Sequence, residues 1–516
     1  MWGSRGRVRI WIAGLAMLGC VATSASGLGT GSAQAAEAAC SGGTGSDYNG
    51  DGLRDTAIAD PEATVGSAAE AGQVTVVHGG GKGVTVVSQN SVNVADSAEA
   101  DDRFGYSLAT YDADQDGCDD LVVGVPYEDV GTVRDAGYVQ IIYGSPAGIG
   151  QGKASKGLLQ GADQSLEGVA EAGDLVGYAV AAGTSSTGIA YLVIGVPGED
   201  GAQGMDTGFL HYVSGTAYQV ANVTQESAGV WEEAEPQDRF GASLAATDRY
   251  FAVGVPGESV NGNAFAGGIS VFRPSLNADG IPAPVFGASQ TAATGSSAAP
   301  ETGDRFGTSL AMVANRTAAE TAPTGALLAV GVPGEDVDDL VDAGGAALLR
   351  VNPDNSLTAV FGLLGQQVAD VSEIASPGDF FGQDVALVNT APSQISSAAT
   401  VKLAVGVPGN ESSGEHLDKG GVHVFPAAGA AGASDVWREP GDGIPADPAH
   451  QMFVGTSLAA TPAGVLVGVA YESGPAPGAV YGFDWTAAGD AAPSQTFKPG
   501  EAGIPAGGTA FGAEIR

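Results

Sequence analysis

The chain has 516 residues, of which 82 are glycine and only 15% are charged, and its 59 acidic against 20 basic side chains give a net charge of −39. So acidic a surface repels phosphate backbones, which excludes nucleic acid as a partner and favours cations and basic surfaces. A length of this order ordinarily means several domains, and glycine at this level without a period would mean low complexity. Here the glycines recur at regular intervals, so internal repetition is the first question.

Residues 1–35 read as a secretory signal peptide: Arg5, Arg7 and Arg9 form a basic start, residues 10–21 a short apolar core, and Ala33-Gln34-Ala35 a small-residue cleavage site. The apolar core is far below the roughly 20 residues of a membrane span, and no later stretch reaches that length, so no transmembrane span is expected. Cleavage leaves 17 basic against 59 acidic side chains, a net charge of −42. It also removes Cys20 and leaves Cys40 and Cys118 as an even pair in an exported protein. A bond between them would tie the amino-terminal segment, residues 36–46, to the second repeat. The alternative is lipidation of Cys20, since Met17-Leu18-Gly19-Cys20 loosely follows a lipobox. The expected location is extracellular.

From residue 47 onward two signatures alternate. One is an aromatic or apolar residue followed by Gly, at Phe104, Val176, Phe240, Phe306, Phe381, Val454 and Phe511. The other is an apolar run ending in Pro: VVGVP at 122–126, VIGVP at 193–197 and AVGVP at 252–256, 329–333 and 404–408. Weaker copies are AIADP at 57–61 and LVGVA at 466–470. Each signature occurs seven times, spaced by about 57 to 77 residues. Between them lie β-branched and aromatic runs bounded by Gly, Asn and Asp, such as GQVTVVHG at 72–79, GGISVF at 267–272 and GGVHVF at 420–425. No segment keeps a helical period.

The fold class expected is therefore all-β, with about three clear strands and a weaker outer one per repeat, arranged radially as a seven-bladed β-propeller over residues 47–516. The first unit lacks an aromatic-Gly strand, and residues 511–516 are such a strand with nothing after it. Placing the tail in the first unit closes the ring and leaves no unpaired edge.

The best copy, FGYSLATYDADQDGCDDLVVGVP at 104–126, resembles the FG-GAP repeats of the integrin alpha-subunit amino-terminal β-propeller and of related secreted bacterial proteins. The resemblance covers essentially all of residues 47–516. It implies a propeller with calcium in loops between strands, a role in adhesion or recognition, and GVP standing where integrins commonly carry GAP.

Two loops carry that chemistry, DYNGDGLRD at 47–55 and DADQDGCDD at 112–120. Both fit D-x-[DN]-x-D-G-x-x-D, and hard cations such as Ca²⁺ need six to eight oxygens. Side chains at positions one, three, five and nine converge and the carbonyl at seven completes the set. This assigns Asp47, Asn49, Asp51, Asp55 and the Leu53 carbonyl to one ion, and Asp112, Asp114, Asp116, Asp120 and the Cys118 carbonyl to a second. About two Ca²⁺ are expected. Position twelve is Ile58 or Val123 and strands follow, so neither loop is an EF-hand. Two copies at equivalent places argue against a metal-free Asx turn.

Two further recurrences read as structural. An acid follows each Pro-terminated strand, Glu62, Glu128, Glu199, Glu258, Glu335, Glu411 and Glu472, where it would hold a polar group at a blade junction. Asp102-Arg103, Asp238-Arg239 and Asp304-Arg305 would form ion pairs between blades. Ser107, Ser243, Ser309 and Ser457 sit in G-x-S sequences, but four copies on strands argue for packing and not for a nucleophile elbow. The five histidines are scattered and no HExxH or CxxC occurs. The expected function is binding or scaffolding of an extracellular protein or a cell-wall glycan, through loops such as 198–207, 257–266, 334–343 and 409–419 on a rigid ring. No catalytic residues are expected. A hydrolase acting on esters, phospholipids or glycans, and a purely structural cell-surface spacer, are the alternatives.

Overall fold

The computed structural model describes Cys40, Gly42 and residues 45–516, apart from 162–164, 296–297, 412–415, 428 and 472–477. The expected leader with Cys20, and Glu472, lie outside these residues. The first sheet contains β1 (Thr56–Asp60), β2 (Gln73–Val77) and β3 (Val84–Val87). The second contains β4 (Ser107–Tyr111), β5 (Asp120–Val125), β6 (Tyr138–Ile142) and β7 (Lys156–Leu158), hydrogen-bonded in that order. Five more sheets follow, opening with Val180–Thr184, Ser243–Ala246, Leu310–Asn315, Val385–Asn389 and Leu458–Ala460. The sixth carries a fifth strand, Gly443–Ile444, parallel to Val436–Pro440. The first strands of all seven sheets line one axial cavity of about 850 Å³. The molecule is a seven-bladed propeller.

The recurring glycines follow from how blades touch. The Gly that opens each third strand pairs with the signature aromatic of the next blade, as in Gly208 with Phe240, Gly267 with Phe306 and Gly344 with Phe381. A Cβ on Gly208 would lie 2.2 Å from the Phe240 nitrogen, and Gly208 holds φ at +86°. The Gly of GVP meets the next blade's second signature residue: a Cβ on Gly124 would lie 2.1 Å from the Gly177 carbonyl oxygen. Side chains at these points would drive the blades apart, so the repeat pattern records blade-to-blade contact. Ser107, Ser243 and Ser309 complete the seam, their hydroxyls donating to the carbonyls of Gly177, Gly307 and Gly382 at 2.8, 2.6 and 2.9 Å. They are packing groups, as their repetition implied.

Each junction between neighbouring blades has its own apolar cluster. Closure takes the expected form. The terminal strand, Glu514–Ile515, pairs antiparallel with β1, Ile58 opposite Ile515 and Ala59 opposite Glu514. Phe511 and Ile515 are buried with Ile58, Leu466 and Val480 in the cluster joining the last blade to the first. Asp60 occupies the place of the GVP valine, and its carboxylate accepts the Thr509 and Ala510 N–H groups at 3.0 and 2.9 Å. A degenerate repeat residue is thus the clasp for the tail.

Candidate metal centre

The two acidic loops are the connections between first and second strands in the first two blades. In the first blade the first strand is the carboxy-terminal one, Glu514–Ile515, and residues 47–55 lead directly into β1. The loops fold alike, position by position. Asp47 accepts the Asp51 and Gly52 N–H groups at 3.0 and 2.7 Å, and Asp112 accepts those of Asp116 and Gly117 at 3.1 and 3.0 Å. Asn49 and Asp114 each accept from position five, at 3.0 and 3.3 Å. Asp51 accepts from Leu53 and Asp116 from Cys118, both at 2.9 Å. Gly52 and Gly117 take φ of +84° and +94°, the left-handed turn that position six requires.

In the second loop the structure gathers the side chains at positions one, three and five more tightly than the one at nine. In the second loop, carboxylate oxygens of Asp112, Asp114 and Asp116 lie within 4.8 Å of one another. Asp120 is fully buried beneath them and fastens the loop to its blade, accepting from Ala113 and Gly144, each at 2.8 Å. Asp55 does the same in the first loop, accepting from Tyr48 at 3.1 Å and Gly79 at 2.8 Å. Sequence reasoning missed His78, whose Nδ1 lies 3.1 Å from Asp55 Oδ2; its place just after β2 was the available signal. It also missed Lys82, which lies 2.9 Å from Asp51 Oδ2, and Lys153, which pairs with Asp114.

The electrostatics are those of a site built for a cation. Burial pushes the Asp112 carboxyl up and the Asp120 carboxyl up to about 8, with neighbouring acids adding to both. Bonding to the Lys82 ammonium is the largest influence on Asp51 and lowers it. Oxygen-only donors on a tight turn fit Ca²⁺. At the four side-chain positions assigned to the ion the second loop has four carboxylates and the first three, so the second is the more strongly acidic.

Cys40 and Cys118 form a disulfide, with Cα atoms 5.1 Å apart. Cys118 is position seven of the second loop. Cys40 packs against position four of the first, where a Cβ on Gly50 would lie 2.6 Å from the Cys40 Cα. The Asp119 N–H donates to the Asp47 carbonyl at 3.0 Å and the Ser145 N–H to the Tyr48 carbonyl at 3.0 Å. The Asp119 bond joins the two loops directly, the Ser145 bond ties the first loop to the connection after β6, and the disulfide fastens the segment packed on the first loop to the second. Replacing both cysteines by serine is expected to cost about 4 kcal/mol, the chain-entropy value for this loop length. The same variant should weaken calcium binding at both loops in calorimetric titration. Unchanged affinities would separate the bond from the metal sites.

The acids after the Pro-terminated strands divide. Glu128, Glu199, Glu258 and Glu335 each accept a bond from a glutamine of the preceding linker. Glu62 and Glu411 are one residue out of register: the equivalent turn N–H groups, bonding back to Asp60 and Val407, belong to Ala63 and Asn410. The Asp-Arg pairs are corrected as well. Arg103 and Arg239 do bridge blades, to Glu70 at 2.9 Å and Asp206 at 3.5 Å, but Asp102 and Asp238 are buried and bond their own linkers.

A closed ring of seven four- or five-stranded sheets, with two adjacent acidic loops, defines a seven-bladed β-propeller. The FG-GAP repeat family matches over residues 104–142, the second blade from its signature Phe through β6. A mouse phosphatidylinositol-glycan-specific phospholipase D is 31% identical over 107 residues, which is 20% of this chain and 13% of that enzyme. Residues 104–142 are thus similar to an FG-GAP repeat, within a chain that forms a seven-bladed propeller.

Proposed function

We propose that this protein is a secreted, calcium-stabilised propeller that binds an extracellular macromolecule through the face opposite its metal loops. In radial antiparallel blades the connections between second and third strands, and the linkers between blades, emerge on one side. The observation that supports the reading is a row of exposed apolar residues there. Met205, Phe265, Val341 and Leu417 are 65, 39, 57 and 52% exposed. They stand just before the Gly opening the third strand in four consecutive blades, and Val169 and Ile374 add to the row from linkers. Apolar side chains set at the tips of loops on a rigid, acidic ring are the pattern of a recognition surface. The partner chemistry this fits is an apolar surface rimmed by basic groups, on a protein or at the cell wall.

Export is supported by the disulfide. Among the described residues no helix is long and apolar enough to cross a membrane. Catalysis by a hydrolase has its support in the relative's name and a short aligned segment, and turnover of ester, phospholipid or glycan substrates by the purified protein would establish it. Binding is tested by capture from extracellular and cell-wall fractions. A variant carrying Met205→Asp, Phe265→Asp and Val341→Asp should lose capture at least tenfold with its melting temperature unchanged. Equal capture by this variant would exclude the face.

A further inference from the structure

The first four blade junctions share one buried arrangement. Gln89, Gln160, Gln225 and Gln290 donate from their side-chain amides to Glu128, Glu199, Glu258 and Glu335 at 2.6, 3.0, 2.8 and 2.5 Å. Beside each glutamate is an aspartate of the linker, Asp102, Asp174, Asp238 or Asp304. Its Oδ2 accepts the N–H of the glutamate three residues earlier, at 2.6 Å in every case. All four aspartates, all four glutamines and three of the glutamates are buried; Glu199 is half-buried. At the third junction carboxylate oxygens of Glu235, Asp238 and Glu258 lie within 4.8 Å of one another.

The charged groups acting most strongly on these pairs are acids. They are Asp96, Glu99 and Asp129 at the first junction, and Glu171 and Asp200 at the second. Glu232 and Glu235 face the third pair, and Glu301, Asp336 and Asp342 the fourth. Tyr138 also lies near Glu128. The nearest bases in sequence at the first and third junctions, Arg103 and Arg239, are drawn to Glu70 and Asp206. Two carboxylates buried side by side cannot both ionise without a cation.

The remaining junctions show what the pair needs. The fifth keeps Gln366 and Asp379, but the glutamate's place is taken by Asn410, a neutral amide. At the sixth the aspartate's place is taken by Met452, whose sulfur lies 3.2 Å from the Ala449 nitrogen. At the seventh Ala63 and Thr509 stand in the two places. Each departure removes a carboxylate, and the base buried at the sixth junction, Lys419, is paired with Glu439 at 2.8 Å.

We propose that each of the first four junctions holds one proton on its aspartate–glutamate pair at neutral pH, and that losing these protons in alkali loosens the seams of the ring. This concerns the seams alone and stands whether or not the face above them binds a partner. Burial pushes Glu128 up to about 9, Glu258 to about 8, Glu335 to about 7 and Asp174 to about 7, with like charge adding in each case. The unfolded chain releases these protons near pH 4. Between there and about pH 9 the folded protein therefore binds more protons, and stability falls as pH rises, then levels off.

The test uses the full chain at saturating calcium. Infrared absorption of protonated carboxyl groups should be present at neutral pH and lose intensity in the variant Glu128→Gln, Glu199→Gln, Glu258→Gln, Glu335→Gln. The melting temperature should fall by several degrees from about pH 6 to about pH 9 in the wild type and by less in the variant. Asp384 and Glu514, half-buried along the axial cavity and raised to about 7 and about 8, and Asp379, buried at the fifth junction and raised to about 7, contribute to the slope that stays. Should the fourfold variant fail to fold, Glu258→Gln alone gives the same infrared comparison. An absorption that does not change on substitution, or pairs neutralised by bound cations with no protonated carboxyl signal, would overturn the proposal.

Discussion

Deletion of residues 511–516 is expected to abolish the folded ring and, with it, the cooperative melting transition expected of the intact chain. The terminal strand supplies Phe511 and Ile515 to the cluster at the closing junction and the backbone partners of Ala57 and Ala59. Truncating two buried side chains of this size costs about 5 to 10 kcal/mol before lost backbone bonds are counted. That is comparable with the whole stability of a folded domain, about 5 to 15 kcal/mol. The Thr509 and Ala510 N–H groups that hold the Asp60 carboxylate would remain in the chain but lose the strand that anchors them. Differential scanning calorimetry decides the matter. A deleted chain that melts at the wild-type temperature would show that the first blade stands on three strands.

The double substitution Asp51→Ala with Asp116→Ala should abolish the dependence of melting temperature on calcium. Position five turns its carboxylate into each loop while accepting the N–H of position seven, so its removal takes away a metal oxygen and a turn bond together. A ligand held only by the native state stabilises by about 4 kcal/mol when present at a thousand times its Kd, and two such sites act together. Chelator should lower the wild-type melting temperature by several degrees and leave the variant where it was. Elemental analysis of the wild type should find about two calcium ions per chain. A variant that still responds to calcium would move the metal sites elsewhere. The single variants should differ, because position three is Asp114 in the second loop and Asn49 in the first, and the more acidic loop should hold its ion more tightly.

Much of this was legible in the amino-acid order. Seven aromatic-Gly and seven GVP-like signatures announced seven blades because those residues stand where backbones touch and no side chain fits. The phase of the repeats placed the tail in the first blade. The D-x-[DN]-x-D-G pattern marked both acidic loops, since turn geometry and oxygen donors are local properties of nine residues. Pairwise matters across the fold were less visible. Glu62 and Glu411 look like members of the glutamate series, but a one-residue shift sets Ala63 and Asn410 in the buried places. The partners of that series, Gln89 and its equivalents, sit in linkers 33 to 45 residues away along the chain.

By itself the sequence determined the blade number, the strand pattern and the loop chemistry, because each depends on residues close together and repeated. Only the tertiary structure decided that Asp60 clasps the tail and that Cys40 with Cys118 binds the two acidic loops into one unit. It alone showed that carboxylates meet in pairs at four seams. Those facts rest on approach between distant segments, which a closed ring fixes through its last strand and which no local pattern can encode.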